Sequence, residues 1–390
     1  MPASGKSKSY SAKDIEVLEG LEPVRRRPAM YIGGSDEYAM HHLAAELLDN
    51  SMDEAVAGHA NRIEFELASD GTVTIRDNGR GIPIDSHPKF KDKSALEVVM
   101  TTLHSGGKFS NKVYDTSGGL HGVGLSVVNA LSDRMTIEVA RDKTLYVQDY
   151  SKGIPKGKLR NEGSVRRRGT SVIFHADPEI FGSKSSFRPN TLYKMARSKA
   201  YLYKGVEIRW SCASDLIKEK DNTPEMETLH FPNGLSDYLI TRLNGRETII
   251  SNSFSGESKL NGNGGRVEWA LAWPEDGEGS LVSYCNTVRT REGGTHETGL
   301  RTALTKALKS YAELAGNKRG GIITGDDVIG GTWGVLSVFV PDPEFQGQTK
   351  DKLTTASVVR NVENSLKDHF DHFLSGDPIA GTKLLERILE

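Results

Sequence analysis

Three short polar groups in this chain have the residue types and spacing to do chemistry. In the first, Glu46 and Asn50 lie four residues apart and Asp53 follows three later. Steps of four and three stack side chains on one face of a helix. A carboxylate one turn from a carboxamide sets a proton acceptor beside a neutral oxygen ligand for a hard cation. The second group is Asp77-Asn78-Gly79-Arg80-Gly81-Ile82-Pro83. Two glycines placed just after a strand let backbone come close to a ligand, and an acceptor-only Asp there can take a hydrogen bond from an exocyclic amino group such as that of adenine. The third is Gly118-Gly119-Leu120-His121-Gly122-Val123-Gly124, opening into the apolar run Leu125–Leu131. Glycine-rich backbone feeding a helix start aims amide donors and a positive dipole end at an anion. Taken singly, each group also fits a solvated helix face or an ordinary turn.

A fourth segment, Gln348-Thr349-Lys350, fits either a solvated loop or a reachable point charge for a γ-phosphate. Two familiar phosphate motifs fail. Lys108 follows Gly107, but Thr102 and Phe109 stand where a Walker A loop needs Gly and Ser or Thr. Val127 replaces the third glycine of a dinucleotide fingerprint. His104 and His121 lack carboxylate or cysteine partners at metal-ligand spacing and read as structural side chains.

These groups need elements to hold them. A helix over about 38–58 presents the Glu46 stripe and turns Leu43, Leu47, Leu48 and Ala55 to a core. Alternation at Ile63, Phe65 and Leu67, then Val73 and Ile75, with Asp70-Gly71 between, predicts a β-hairpin that runs into Asp77. A short helix over 94–103 precedes a long glycine-bearing loop of the kind that closes over active sites. Strands are expected at 136–140, 144–150, 169–175 and 206–210, with a helix at 190–202. A second α/β unit starts near Phe231: a helix at 235–243, a mobile polar insertion at 251–265, and strands at 266–273, 281–290 and 333–340. Helices ending near 315 and 374 and a short last one complete it.

With 390 residues, 36% hydrophobic and 26% charged, two soluble domains are expected rather than one core. A formal net charge of −2 argues against coating nucleic acid by bulk charge, and Arg25–Arg27 and Arg166–Arg168 read as solvated surface. Two cysteines exclude a disulfide framework and fit a reducing cytosol. No apolar run spans a membrane and the polar start is no signal peptide, so a cytoplasmic protein with no membrane partner is expected. Residues 1–13 read as a flexible arm whose one large side chain is Tyr10.

In order, Glu46-x3-Asn50, Asp77-x-Gly79-x-Gly81, Gly118-Gly119-x-x-Gly122-x-Gly124 and Gly169-Thr170 resemble the four signature boxes of the GHKL ATPases. That superfamily includes type II topoisomerases, 90-kDa heat-shock chaperones, mismatch-repair ATPases and histidine kinases. Segment 20–33, Gly293-Gly-Thr-His-Glu297 and Gln348-Thr-Lys-Asp-Lys-Leu353 resemble the B subunits of bacterial gyrase and topoisomerase IV. Segments 107–114, 233–239 and 268–273 look more like topoisomerase IV than gyrase. The metal-binding TOPRIM signature of those subunits is absent, so the resemblance implies an N-terminal ATPase fragment.

It also implies an α/β (α+β) architecture: a dimerisation arm over 1–20, a GHKL (Bergerat) two-layer sandwich with a mixed sheet over 21–228, and a ribosomal-S5-like transducer over 229–390. ATP and Mg²⁺ are the implied cofactors. By motif position, Glu46 is the base or water-orienting residue, Asn50 the Mg²⁺ ligand and Asp77 the adenine acceptor. Thr170 assists Asp77, and Gly81, Ile82 and Pro83 lie near the base. Gly118 binds the nucleotide, and Gly119, Leu120, His121, Gly122, Val123, Gly124 and Leu125 form a lid over the triphosphate, joined by Lys108 and Tyr114. Gln348 and Lys350 reach the γ-phosphate, Tyr10 crosses to a second subunit, and Asp77 and Arg141 are contacts for aminocoumarin-type inhibitors. The implied partners are a second copy, the topoisomerase A subunit and double-stranded DNA.

Overall fold

The computed structural model describes residues 12–106, 116, 122–218, 220–261, 265–347 and 349–390. Tyr10, Lys108, Tyr114, Gly118, Gly119, Leu120, His121 and Gln348 lie outside them.

Period-2 alternation builds the first sheet. In Arg62–Leu67 and Val73–Asp77 every second side chain is buried, as a strand with one packed face requires. Strands run in the order 226–229, 207–212, 62–67, 73–77, 169–176, 132–141, 144–151 and 154–155, with 160–164 also pairing 144–151. Only Arg62–Leu67 beside Glu207–Cys212 is parallel; the other neighbours are antiparallel, so the sheet is mixed. The helices Glu37–Val56, Gly124–Ala130 and Pro189–Leu202 carry buried apolar side chains that join the same core as the sheet's buried face. Leu43, Leu47 and Leu48 of the first helix are at most 2% exposed. The opposite sheet face carries charged side chains such as Glu64, Arg76 and Glu138, paired with one another across strands.

The second sheet has the order 254–259, 266–272, 333–339, 280–285, 288–289. Arg266–Ala272 and Trp333–Phe339 are buried almost throughout, because both faces are covered. Helices Thr295–Leu314 and Ser357–Gly376 pack on one face and Leu235–Leu243 on the other. Two segments depart from the sequence reading. The polar stretch at 251–265 contains a strand, Phe254–Lys259, whose backbone pairs with Arg266–Ala272 along its length. The apolar run at 281–290 is not one strand. Asn286 and Thr287 take φ of +49° and +65° and turn the chain back into a tight hairpin, the geometry that two-residue hairpin turns demand.

The two sheets meet through helix Pro189–Leu202. Tyr201 stacks on Phe231 and on Tyr238, with ring centroids 3.7 and 4.7 Å away.

Candidate active site

A cavity of about 490 Å³ opens between helix Glu37–Val56, the Asp77 turn and the start of helix Gly124–Ala130. The structure brings into its wall Glu46, Asn50, Asp77, Gly81, Ile82, Pro83, Gly122, Val123, Gly124, Leu125, Arg141, Thr170 and Lys350. These are all the sequence-selected site residues that are described.

Asp36 begins the helix by accepting from the Ala39 amide at 2.8 Å, a normal helix cap. The helical repeat then aims Glu46 and Asn50 into the cavity while the leucines face the core. At the other end, strand Val73–Asp77 stops because Asn78 turns aside; its carboxamide oxygen accepts from the Asn61 and Arg62 amides at 2.9 and 3.0 Å. The Gly79 amide donates back to Asp77 Oδ1 at 2.8 Å, an Asx turn. The Thr170 amide approaches the same oxygen at 3.4 Å, and the Ser51 hydroxyl reaches Oδ2 at 3.5 Å. Burial pushes the Asp77 carboxyl up to about 6, against the pull of the Gly79 and Thr170 amides. A half-satisfied buried carboxylate is costly unless a donor arrives, and here it faces a cavity whose apolar wall includes Ile75, Ile82, Val98 and Val172.

Close approach explains two glycines. A Cβ at Gly169 would lie 2.0 Å from the Asp77 carbonyl oxygen, and one at Gly124 would lie 2.4 Å from Glu46 Oε2. Around the Asp77 turn, Arg80 pairs with Glu54 at 2.7 Å, and Arg141 donates to the Gly81 carbonyl at 3.0 Å. Thr170 Oγ1 accepts from the Ile82 amide at 3.2 Å.

Lys350 arrives from the other sheet. Its side chain is 6% exposed, with the ammonium 3.9 Å from Glu46 Oε1. The loop that carries it is tied to the Gly293-Gly294 segment: the Glu292 amide donates to the Asp351 carbonyl at 2.8 Å and the Leu353 amide to the Gly293 carbonyl at 3.0 Å. Sequence reasoning passed over His42, one turn before Glu46. Its Nε2 is buried with no hydrogen-bond partner among the described residues, and burial lowers its pKa against the pull of the Glu46 carboxylate. The signal was the row Tyr38, His42, Glu46, Asn50 at four-residue spacing. Among the described residues no group of three or more His, Cys, Asp or Glu side chains is placed to hold a metal ion.

Comparison with known proteins places this arrangement. Residues 35–180 match the family model of histidine kinase-, DNA gyrase B- and HSP90-like ATPases, and residues 234–390 match that of DNA gyrase B. The solved ATP-binding domain of topoisomerase IV from Francisella tularensis, in complex with a small-molecule inhibitor, superposes with a TM-score of 0.78. It is 33% identical, over 96% of this chain and 97% of that one. The chain belongs to the gyrase B and topoisomerase IV B-subunit family. Within that family, the topoisomerase 4 B subunit of Caulobacter vibrioides is 56% identical over 98% of this chain, and the gyrase B subunit of Haloferax lucentense is 41% identical over 98%. The chain spans 55% of the length of the Caulobacter relative. Gyrase B and topoisomerase IV B subunits are thus the reference for the GHKL-type mixed sheet and the second sheet described above, and ATP is the nucleotide that the family's ATPase domain implies.

Proposed function

We propose that this chain binds and hydrolyses ATP, and that it is the ATPase part of a topoisomerase IV B subunit rather than of gyrase B. The higher identity to the topoisomerase IV relative, 56% against 41%, supports that choice. A chaperone or mismatch-repair ATPase fits less well, since residues 234–390 match the gyrase B model.

In this reading Asp77 accepts a hydrogen bond from the adenine amino group, with Thr170 fixing Ile82 beside it. Glu46 orients a water for in-line attack on the γ-phosphorus and takes its proton. The bond to the β–γ bridging oxygen breaks, and ADP and inorganic phosphate leave. Lys350 holds charge on the γ-phosphate oxygens. Asn50 would hold Mg²⁺ through its carboxamide oxygen, and the ion would supply positive charge to offset that of the phosphates. The single observation that carries the reading is the meeting of Lys350, from the second sheet, with Glu46 at 3.9 Å across the cavity that Asp77 closes.

Only a nucleotide with a γ-phosphate touches Lys350, so ATP and ADP bind the closed arrangement differently, which is what shifts a conformational equilibrium. We therefore assign an ATPase domain over 21–228 and a transducer over 229–390. The arm over 1–20 closes a homodimer gate on double-stranded DNA, which passes strands with the A subunit in the cytoplasm. No helix among the described residues is long and apolar enough to cross a membrane.

The test is Glu46→Gln. It should bind a non-hydrolysable ATP analogue with the parent affinity and lose turnover by about a hundredfold or more. Undiminished turnover would remove Glu46 from the reaction; loss of nucleotide binding would make Glu46 a binding residue rather than the one that orients the attacking water.

A further inference from the structure

Lys199 is a buried cation that none of these steps uses. It lies on helix Pro189–Leu202 and is 7% exposed. Its ammonium pairs with the Asp49 carboxylate, donates to the Thr287 carbonyl oxygen at 2.5 Å and approaches Thr287 Oγ1 at 3.4 Å. Three protein oxygens thus surround the ammonium, one of them a carboxylate oxygen.

Both ends of this junction matter. Asp49 is three residues beyond Glu46 on the same helix. Thr287 is half of the left-handed turn of the second sheet, and the other half, Asn286, is clamped to Val340. The Asn286 carboxamide donates to the Val340 carbonyl at 2.9 Å and accepts from its amide at 2.8 Å. Val340 directly follows strand Trp333–Phe339 and begins the segment that leads to Lys350. Among the described residues the second unit thus reaches the Glu46 helix through Lys350, 3.9 Å from Glu46, through Arg291 over the Tyr38 ring at 4.8 Å, and through Lys199, which pairs with Asp49 and hydrogen-bonds Thr287.

We propose that Lys199 is a positioning residue of the ATPase reaction. The Asp49–Lys199–Thr287 junction is the fixed pivot that registers the second sheet on the catalytic helix and delivers Lys350 to the γ-phosphate. This rests on the roles given above to Glu46 and Lys350. Plain adhesion between the units does not need a charge here. The Tyr201 stack on Phe231 and Tyr238 supplies adhesion, and a well-packed apolar group usually stabilises as much as a buried ion pair does. What the ammonium adds is direction, since stacked rings slide, whereas an ion pair to Asp49 joined to aimed hydrogen bonds on Thr287 holds one register.

Lys199→Met alone would leave the Asp49 carboxylate buried without its cation, so the informative variant is Lys199→Met with Asp49→Leu, which removes both charges. Its ADP affinity should stay within about twofold of the parent, while kcat falls about tenfold or more, the usual cost of small misplacements remote from the chemistry. Adding Lys350→Met should then cost little more, because without the pivot Lys350 is no longer delivered to the γ-phosphate; a purely structural role would give additive losses. Spin labels at exposed Lys194 and Glu313 supply a readout without activity. The nucleotide-free distance distribution should be narrow in the parent and broadened in the variant. Parent-like turnover and an unbroadened distribution would overturn the pivot. A parent chain that fails to hydrolyse ATP would sink the functional reading instead, and the distance measurement would still decide the pivot.

Discussion

Asp77 has opposite needs with and without a ligand. Buried, its carboxyl is held at about 6, above the ordinary 3.8, by loss of water. Between those values the folded chain holds a proton that the unfolded chain has released. The group's contribution to stability therefore falls as pH rises through that window and levels off above about 6. An adenine amino group, however, needs the ionised acceptor. Affinity for adenosine, measured by calorimetric titration, should rise as pH climbs through about 6 and then plateau. Asp77→Asn should flatten the profile and lose about 1.5–3 kcal/mol of binding, the worth of a hydrogen bond to a charged group. A flat profile in the parent would take the base-recognition role from Asp77. This residue was legible in the sequence because its turn is local: Asp, Gly and Gly at every second position. Its neighbours Ser51 and Arg141 gave no such signal as partners, since a helix and a distant strand bring them in. His42 was legible by spacing and overlooked by type.

Among the elements, the strand pair Val73–Asp77 and Gly169–Ala176 decides the shape of the site. At Gly169, φ is +109° and a Cβ would strike the Asp77 carbonyl oxygen. Gly169→Ala combines a strained backbone with a main-chain clash, so urea denaturation should register a loss of more than about 1 kcal/mol together with weaker adenosine binding. Unchanged stability would mean that the strands separate without cost. The hairpins of the first sheet were readable because alternation and an Asp-Gly turn agree with each other. The second sheet misled twice. Phe254–Lys259 has a polar, glycine-containing sequence and forms a strand because the apolar Arg266–Ala272 offers it a ladder, a case of context setting β-structure. At Asn286-Thr287, a β-branched residue at φ +65° defeats the expectation that the apolar run continues. There the turn is held by Val340 and Lys199, both distant in sequence.

At the scale of the whole molecule, the question is whether nucleotide links two separately built cores. One core surrounds the Glu46 helix and the first sheet, and another lies under Thr295–Leu314 and Ser357–Gly376. Lys350 belongs to the second unit and points into the cavity of the first, so a γ-phosphate contact would stabilise both, whereas ADP would act mainly on the first. The tryptophans separate the signals, since Trp210 lies in the first sheet and Trp269, Trp273 and Trp333 lie on the second. In a Trp210→Phe variant, fluorescence follows the second unit alone. A non-hydrolysable ATP analogue with Mg²⁺ at a hundred times its Kd adds about 2.7 kcal/mol by mass action, worth about 2–4 °C per kcal/mol in a unit of roughly 150–250 residues. The second unit's melting temperature should rise by several degrees with the analogue and hardly move with ADP at equal saturation. Lys350→Met should reduce the analogue's effect to that of ADP. Equal shifts with both nucleotides would mean that the second unit senses an occupied cavity rather than the γ-phosphate, and Lys350 would lose its role as the link.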